Sequence, residues 1–215
     1  QFSQSTSASS LLALREAVQD LRPGLFIREI THWYDDPDYH AALGRRILAC
    51  RERFAREEGV GLLLVAHSVP ERFVLRGDPY VEHVEKTVTG LLSVLDTETS
   101  AHLPWLLAYQ SQVGPIRWVG PTVEQALEAM LGDGLGSVIV APVSFVSDHL
   151  ETLYDIDLLY RRQAIEMGFE RFERTESLNG SDDFVHLLAG LVIDRFEEAL
   201  SKTEENEDPG AGGIP

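Results

Sequence analysis

Two short, unbroken apolar runs constrain this chain most: "VGLLLVA" at 60–66 and "SVIVAPV" at 137–143. A strand with one wet face alternates apolar and polar residues, whereas a strand covered on both faces reads as a continuous apolar run. Neither run approaches the roughly 20 residues that a membrane-spanning helix needs. Strands are therefore predicted at 61–66 and 137–143, with others at "WLLAYQ" (105–110), "GLFIREI" (24–30) and "FERFERT" (169–175). Between them, 39–59, 81–95, 122–134, 148–168 and 182–200 carry helical patterns, several of them closed by glycine. Strands alternating with helices predict an α/β fold, a parallel sheet flanked by helices. In such sheets ligands collect at the carboxyl ends of the strands. "AHSVP" after 61–66 and "VSFVSDHLE" after 137–143 fall there.

Charge and cysteine content narrow the function classes. The 215 residues carry 35 Asp and Glu against 18 Lys and Arg, a net charge of −17. A field of that sign repels phosphate backbones and argues against nucleic acid as a partner. Part of the excess sits in 201–215, "SKTEENEDPGAGGIP", which reads as a disordered acidic tail. The single cysteine, Cys50, excludes an intramolecular disulfide or a four-cysteine metal site built from this chain alone. It follows an apolar helical pattern and reads as a buried small hydrophobe. "QFSQSTSASS" has no initiator Met and no signal-peptide pattern, and reads as a chain entered in the middle of a longer protein. A reducing, cytoplasmic setting is the default expectation.

The chemistry concentrates in "SFVSDHLETLYDID" (144–157). Asp148 and Glu151 have capping-box spacing, and acidic residues suit a helix N-terminus. Capping does not account for Asp155. At about 100° per residue, positions 148, 151 and 155 fall within about 60° of one another, leaving Leu150, Leu153 and Tyr154 to pack on the sheet. A carboxylate stripe of this kind would be stabilised by a cation. The cap and metal readings both stand at this point. His67, at a strand end, suits either a hydrogen-bonded structural role or proton transfer. The loop 110–121 frames Trp118 between two Gly-Pro turns, as an ordinary surface loop or as a wall for a flat ligand. His40, His83, His102 and His186 show no partner pattern and read as structural or surface residues.

Four blocks in order, "AHSVPERFVLRGDPY", "YQSQVGPIRWVGP", "APVSFVSDHLETLYDID" and "ESLNG", resemble the ferrochelatase family. "QFSQSTSASS" is similar to that family's Pro-Gln-Tyr-Ser-x-Ser-Thr segment without its leading proline. The resemblance runs from residue 1 to about residue 200. It implies a chelatase-like fold of two similar Rossmann-like halves with a porphyrin in the cleft between them, the first half largely missing from this sequence. On that basis 1–58 is the end of the first half and a crossover, 59–200 the second half with the metal and porphyrin site, and 201–215 the tail.

The implied activity is insertion of Fe²⁺ into a porphyrin, protoporphyrin IX or coproporphyrin III, with release of two protons. The family's active-site His and Glu fall on His67 and Glu151, both as catalytic residues and, with Asp155, as metal ligands. Phe145, Trp118, Asp148 and His149 match substrate-side positions. Imidazole can accept a pyrrole proton, and Glu151 can bind iron or take a proton on the other side of the ring. No cofactor beyond the substrate Fe²⁺ is expected, and no iron–sulfur cluster, since the tail lacks cysteine. The partners are porphyrin and ferrous iron, with peripheral membrane contact left open and no transmembrane segment expected. The alternatives are a chelatase for another tetrapyrrole or metal such as cobalt, and a non-catalytic porphyrin-binding module.

Overall fold

The structure, a computed structural model, describes residues 1–54, 58–98 and 103–207, excepting the side chains of 202–207. One parallel four-stranded sheet organises it: β1 (Val60–His67), β2 (Trp105–Gln110), β3 (Ser137–Pro142) and β4 (Arg171–Arg174), in the order β2-β1-β3-β4. The central strands are those with unbroken apolar sequence. Leu62, Leu63 and Leu64 in β1 and Ile139 in β3 are fully buried, each such side chain contributing about 1.5–3 kcal/mol.

Alternate residues feed two cores. Leu62, Leu64, Ala66 and Ile139 pack under α2 (Pro37–Glu52), α4 (Tyr80–Glu98) and the start of α7 (Asp182–Glu207), with the single-turn α3 (Glu71–Val74) in the connection from β1 to α4. Leu63, Val65, Val138 and Val140 pack under α5 (Val123–Gly132), α6 (Arg161–Met167) and the segment that precedes α6. Helices thus cover both faces, as expected. Thr122 closes a full capping box on α5 with Gln125, and α6 ends on Gly168 at a φ of 116°. Cys50 is buried as predicted.

Several expectations change. Residues 24–30 form no strand; Leu25 and Phe26 are exposed, and no sheet edge pairs with the segment. The helix expected to reach Gly59 ends at Glu52. The first residues, where no helix is predicted, form a short π-helix (Gln4–Ala8) running into α1 (Ser9–Leu21). Helix α7 continues to Glu207, seven residues into the expected disordered tail; 208–215 lie outside the described residues, as does His102. His40 and His83 are buried and His186 is exposed. Among the described residues no helix is long and apolar enough to cross a membrane.

The segment 148–168 departs most. Glu151–Tyr160 winds as a π-helix with i→i+5 bonding before α6 begins. Its buried face is Thr152, Ile156 and Tyr160, four residues apart, while Leu150, Leu153 and Tyr154 are 74%, 51% and 54% exposed. Ile156 and Tyr160 take the place on the sheet expected for the Leu150, Leu153 and Tyr154 stripe, which faces outward. Asp148 lies before the helix and does not share its register.

Candidate active site

Strand register assembles the site. His67 ends β1 directly beside Gln110, the last residue of β2. Pro142 ends β3 on the other side of β1, and the chain turns from there through 143–150 into the π-helix. The turn is pinned to β1, because Ser144 Oγ accepts from the His67 backbone N–H at 2.9 Å.

Glu151, at the start of the π-helix, therefore arrives over the ends of β1 and β2. Its Oε2 lies 2.8 Å from His67 Nδ1, 3.0 Å from Gln110 Nε2 and 3.0 Å from Ser111 Oγ. Three donors thus converge on one carboxylate oxygen, leaving Oε1 outside this set of bonds. Burial by itself would raise the Glu151 carboxyl. Hydrogen bonds from His67, Gln110 and the Ser111 hydroxyl outweigh it and hold the carboxyl below its ordinary value. Ser111 sits at a φ of 66°, a region that non-glycine residues rarely adopt. That strain lies where a side chain must turn back onto Glu151.

The pair opens on a cleft of about 530 Å³ lined by His67, Glu151, Phe145, Trp118, Tyr80 and the N-terminal residues Gln1, Ser3, Ser5 and Thr6, among others. The Phe145 ring meets His67 edge-on at 6.2 Å and His149 at 4.5 Å. Trp118 is held by Nε1–H donating to the Val113 carbonyl and by a bridge to Pro70. Burial pushes the Tyr80 hydroxyl up to about 12, so it stays protonated. A larger groove of about 750 Å³ runs between α4 and β2, but its lining holds acidic and apolar residues without a histidine. The chemistry points to the smaller cleft.

The structure brings some expected residues together and not others. His67, Glu151, Phe145 and Trp118 share the cleft. His67 and Glu151 are in direct contact, so a ring cannot lie between them, and the expectation that they act from opposite sides is corrected. Asp155 lies close enough to Glu151 to feel its charge. Burial and then that carboxylate raise the Asp155 carboxyl, with His149 partly offsetting them. Among the described residues, however, no three His, Cys, Asp or Glu side chains are gathered for a metal, so His67, Glu151 and Asp155 do not form a ready-made ligand set.

Asp148 leaves the carboxylate stripe. It accepts from Ser177 Oγ at 2.8 Å, Asn179 Nδ2 at 3.0 Å and Arg174 Nη1 at 3.0 Å, and its backbone N–H donates to Asn179 Oδ1. The expected capping box is absent because His149 Nδ1 takes the Glu151 N–H instead. Asp157 accepts both arms of the Arg174 fork at 2.9 Å. Gln110 and Ser111 were not singled out by sequence reasoning. The signal for Gln110 was a polar residue ending an apolar strand beside His67.

Comparison with known proteins follows the same residues. A family model for ferrochelatase matches residues 1–196. The chain is 34% identical over 191 residues to a ferrochelatase of Geotalea daltonii, covering 89% of this chain and 58% of that protein. It is 36% identical to one of Geotalea uraniireducens with the same coverage. To one of Gloeothece citriformis it is 37% identical over 213 residues, 97% of this chain and 54% of that protein. The chain thus spans little more than half the length of these relatives.

Proposed function

Because this chain belongs to the ferrochelatase family, we propose that the protein containing it inserts Fe²⁺ into a porphyrin, making haem and releasing two protons. The observation that carries this reading is the 2.8 Å contact between His67 Nδ1 and Glu151 Oε2 on a cleft walled by Phe145 and Trp118. Metallation of a porphyrin requires that two pyrrole N–H groups lose their protons and that the metal lose its water. A dyad of imidazole and carboxylate suits that task.

A neutral imidazole whose Nδ1 donates to a carboxylate keeps its lone pair on Nε2. His67 Nε2 is then the acceptor for a pyrrole proton, and the ionised Glu151 stabilises the imidazolium that forms. Glu151 Oε1, outside the three-donor set, is the oxygen available to incoming Fe²⁺, a metal that accepts both carboxylate and imidazole ligands. Asp155, whose raised carboxyl lies beside Glu151, feeds or holds the cation rather than completing a fixed site. Trp118 and Phe145 offer apolar walls to a flat macrocycle. Asp148 and His149 act through the fold around the site.

Iron enters as substrate, and no cluster is part of this reading. A reducing, cytoplasmic setting accords with the lone thiol of Cys50. Protoporphyrin IX and coproporphyrin III both remain within the proposed substrate class. The test is a metallation assay on the full-length protein with each porphyrin and with Fe²⁺, Zn²⁺ and Co²⁺ in turn. Iron insertion supports the proposal, preference for cobalt redirects it to another chelatase, and porphyrin binding without insertion of any metal overturns it.

A further inference from the structure

Asp78 is a buried carboxylate, 3% exposed, that contacts neither His67 nor Glu151 and does not line the cleft. Its Oδ2 accepts from Ser3 Oγ at 3.0 Å and from the Gln4 backbone N–H at 2.9 Å, 75 and 74 positions away. Its Oδ1 accepts from the Tyr80 N–H at 3.0 Å, at the first residue of α4. One side chain therefore joins the N-terminal segment to the start of a helix.

The surrounding bonds run in the same direction. Gln1 Nε2 donates to Thr87 Oγ1 and to the Val143 carbonyl, both at 2.9 Å. The Phe2 N–H donates to His83 Nδ1 at 3.1 Å, and Gln4 Nε2 to the Gly77 carbonyl at 3.3 Å. Residues 1–4 are thus laid along 77–87, and Gln1, Ser3, Ser5 and Thr6 line the cleft with His67 and Trp118, whereas Gln4 does not. Among these partners Asp78 is the one carboxylate, and hydrogen bonds to an ionised group are the stronger kind. Ser3 relays the anchor inward, since its Oγ also accepts from the Ser5 N–H and lies 2.9 Å from Ser5 Oγ.

We infer that Asp78 is a positioning residue for the porphyrin: by clamping Ser3 and Gln4 to α4 it sets the wall that Ser5 and Thr6 present to the macrocycle. The inference rests on the porphyrin reading of the cleft. A residue with this role acts on binding of the ring and not on proton transfer, because the His67–Glu151 pair makes none of these contacts. The competing assignment is a plain cap of α4, for which the Tyr80 N–H bond alone suffices.

The two assignments separate in a porphyrin titration of the full-length protein, followed by fluorescence quenching, for Ser3→Ala, Asp78→Asn and the double variant. Ser3→Ala removes a clamp bond and leaves the cap of α4 intact. Positioning predicts several-fold weaker porphyrin binding in Ser3→Ala, about tenfold in Asp78→Asn, and no further loss in the double variant. In turnover the loss appears in the porphyrin KM rather than in kcat. An unchanged porphyrin Kd in both single variants, with only a lower melting temperature in Asp78→Asn, overturns the inference. Should Asp78→Asn fail to fold, Gln4→Ala, which cuts the clamp bond to Gly77 at a residue outside the cleft lining, decides on the same criterion. A wild-type protein that binds no porphyrin overturns the proposed function and this inference together; wild-type binding with unaffected variants overturns the inference alone.

Discussion

His67 Nδ1 and Glu151 Oε2 lie 2.8 Å apart although 84 positions separate the residues. The contact follows from topology. Parallel β1 and β3 are neighbours, so their carboxyl ends, and whatever follows them, come out on the same side of the sheet. The contact makes the two residues a dyad rather than a pair of opposed groups, and in the proposed function it orients the imidazole and leaves Nε2 to accept the proton.

Glu151→Gln keeps the shape of the side chain and removes its charge, so the imidazolium formed on His67 loses its counter-ion. Metal insertion should fall by about 10²–10⁴-fold, while porphyrin still binds. A metallation assay paired with a porphyrin titration checks this. Retention of both full activity and iron binding would remove Glu151 from the mechanism.

The pH dependence should respond to Ser111. Because the Glu151 carboxyl is held below its ordinary value, its favourable interactions are present above the unfolded pKa and are lost as pH falls through the folded one. Ser111→Ala deletes a donor to the ionised form, raises that carboxyl, and should move the acid limb of the rate profile to higher pH. Ser111→Gly removes the same donor but relieves the positive φ. It should shift the limb equally while melting at a higher temperature than the alanine variant. An acid limb that stays put in both variants would exclude the hydroxyl from control of Glu151.

The sheet was legible because its central strands are covered on both faces and have no polar residue to interrupt them, as in "GLLLVA". His67 and Glu151 were legible because each follows such a strand and because their motifs resemble a known family. Gln110 and Ser111 were hidden, since their contact with Glu151 depends on the β1–β2 register, which no local pattern encodes. The winding of 151–160 was hidden too. Leu150, Leu153 and Tyr154 suggested a 3.6-residue core stripe, but the i→i+5 helix buries Thr152, Ile156 and Tyr160 instead. Residues 24–30 had a strand's composition without a strand to pair with, and pairing decides whether a strand forms.

Arg174 should be the main anchor of the π-helix. Its side chain is only 10% exposed, forks onto Asp157 and reaches Asp148, joining the end of β4 to both sides of Glu151. Arg174→Met strands two partly buried carboxylates and should lower the unfolding free energy by about 3–5 kcal/mol. Arg174→Lys, which keeps the charge but not the fork, should lose less. Urea denaturation measures both, and equal losses would show that charge rather than bidentate geometry holds the segment.

Asp183 ties the start of α7 to α2 and gives stability its own acid limb. Its Oδ2 accepts from Arg46 Nη1 at 2.6 Å and Arg45 Nη2 at 2.8 Å, and its Oδ1 from Arg46 Nη2 at 2.9 Å and Ser181 Oγ at 2.7 Å. The Arg46 hydrogen bond, against an opposing contribution from burial, holds its carboxyl well below the usual carboxylate range. A depressed carboxyl stabilises the fold fully above the unfolded-state pKa and loses that contribution as pH falls toward the folded value. Asp183→Asn should therefore cost about 1–2 kcal/mol at pH 7. Its deficit relative to wild type should shrink between about pH 4 and pH 2, where the unfolded-state carboxyl takes up a proton that the folded one does not. Denaturation curves for both proteins at neutral and acid pH check this, and a deficit that is constant across that range would show that the residue acts through packing or hydrogen bonding that does not depend on its charge.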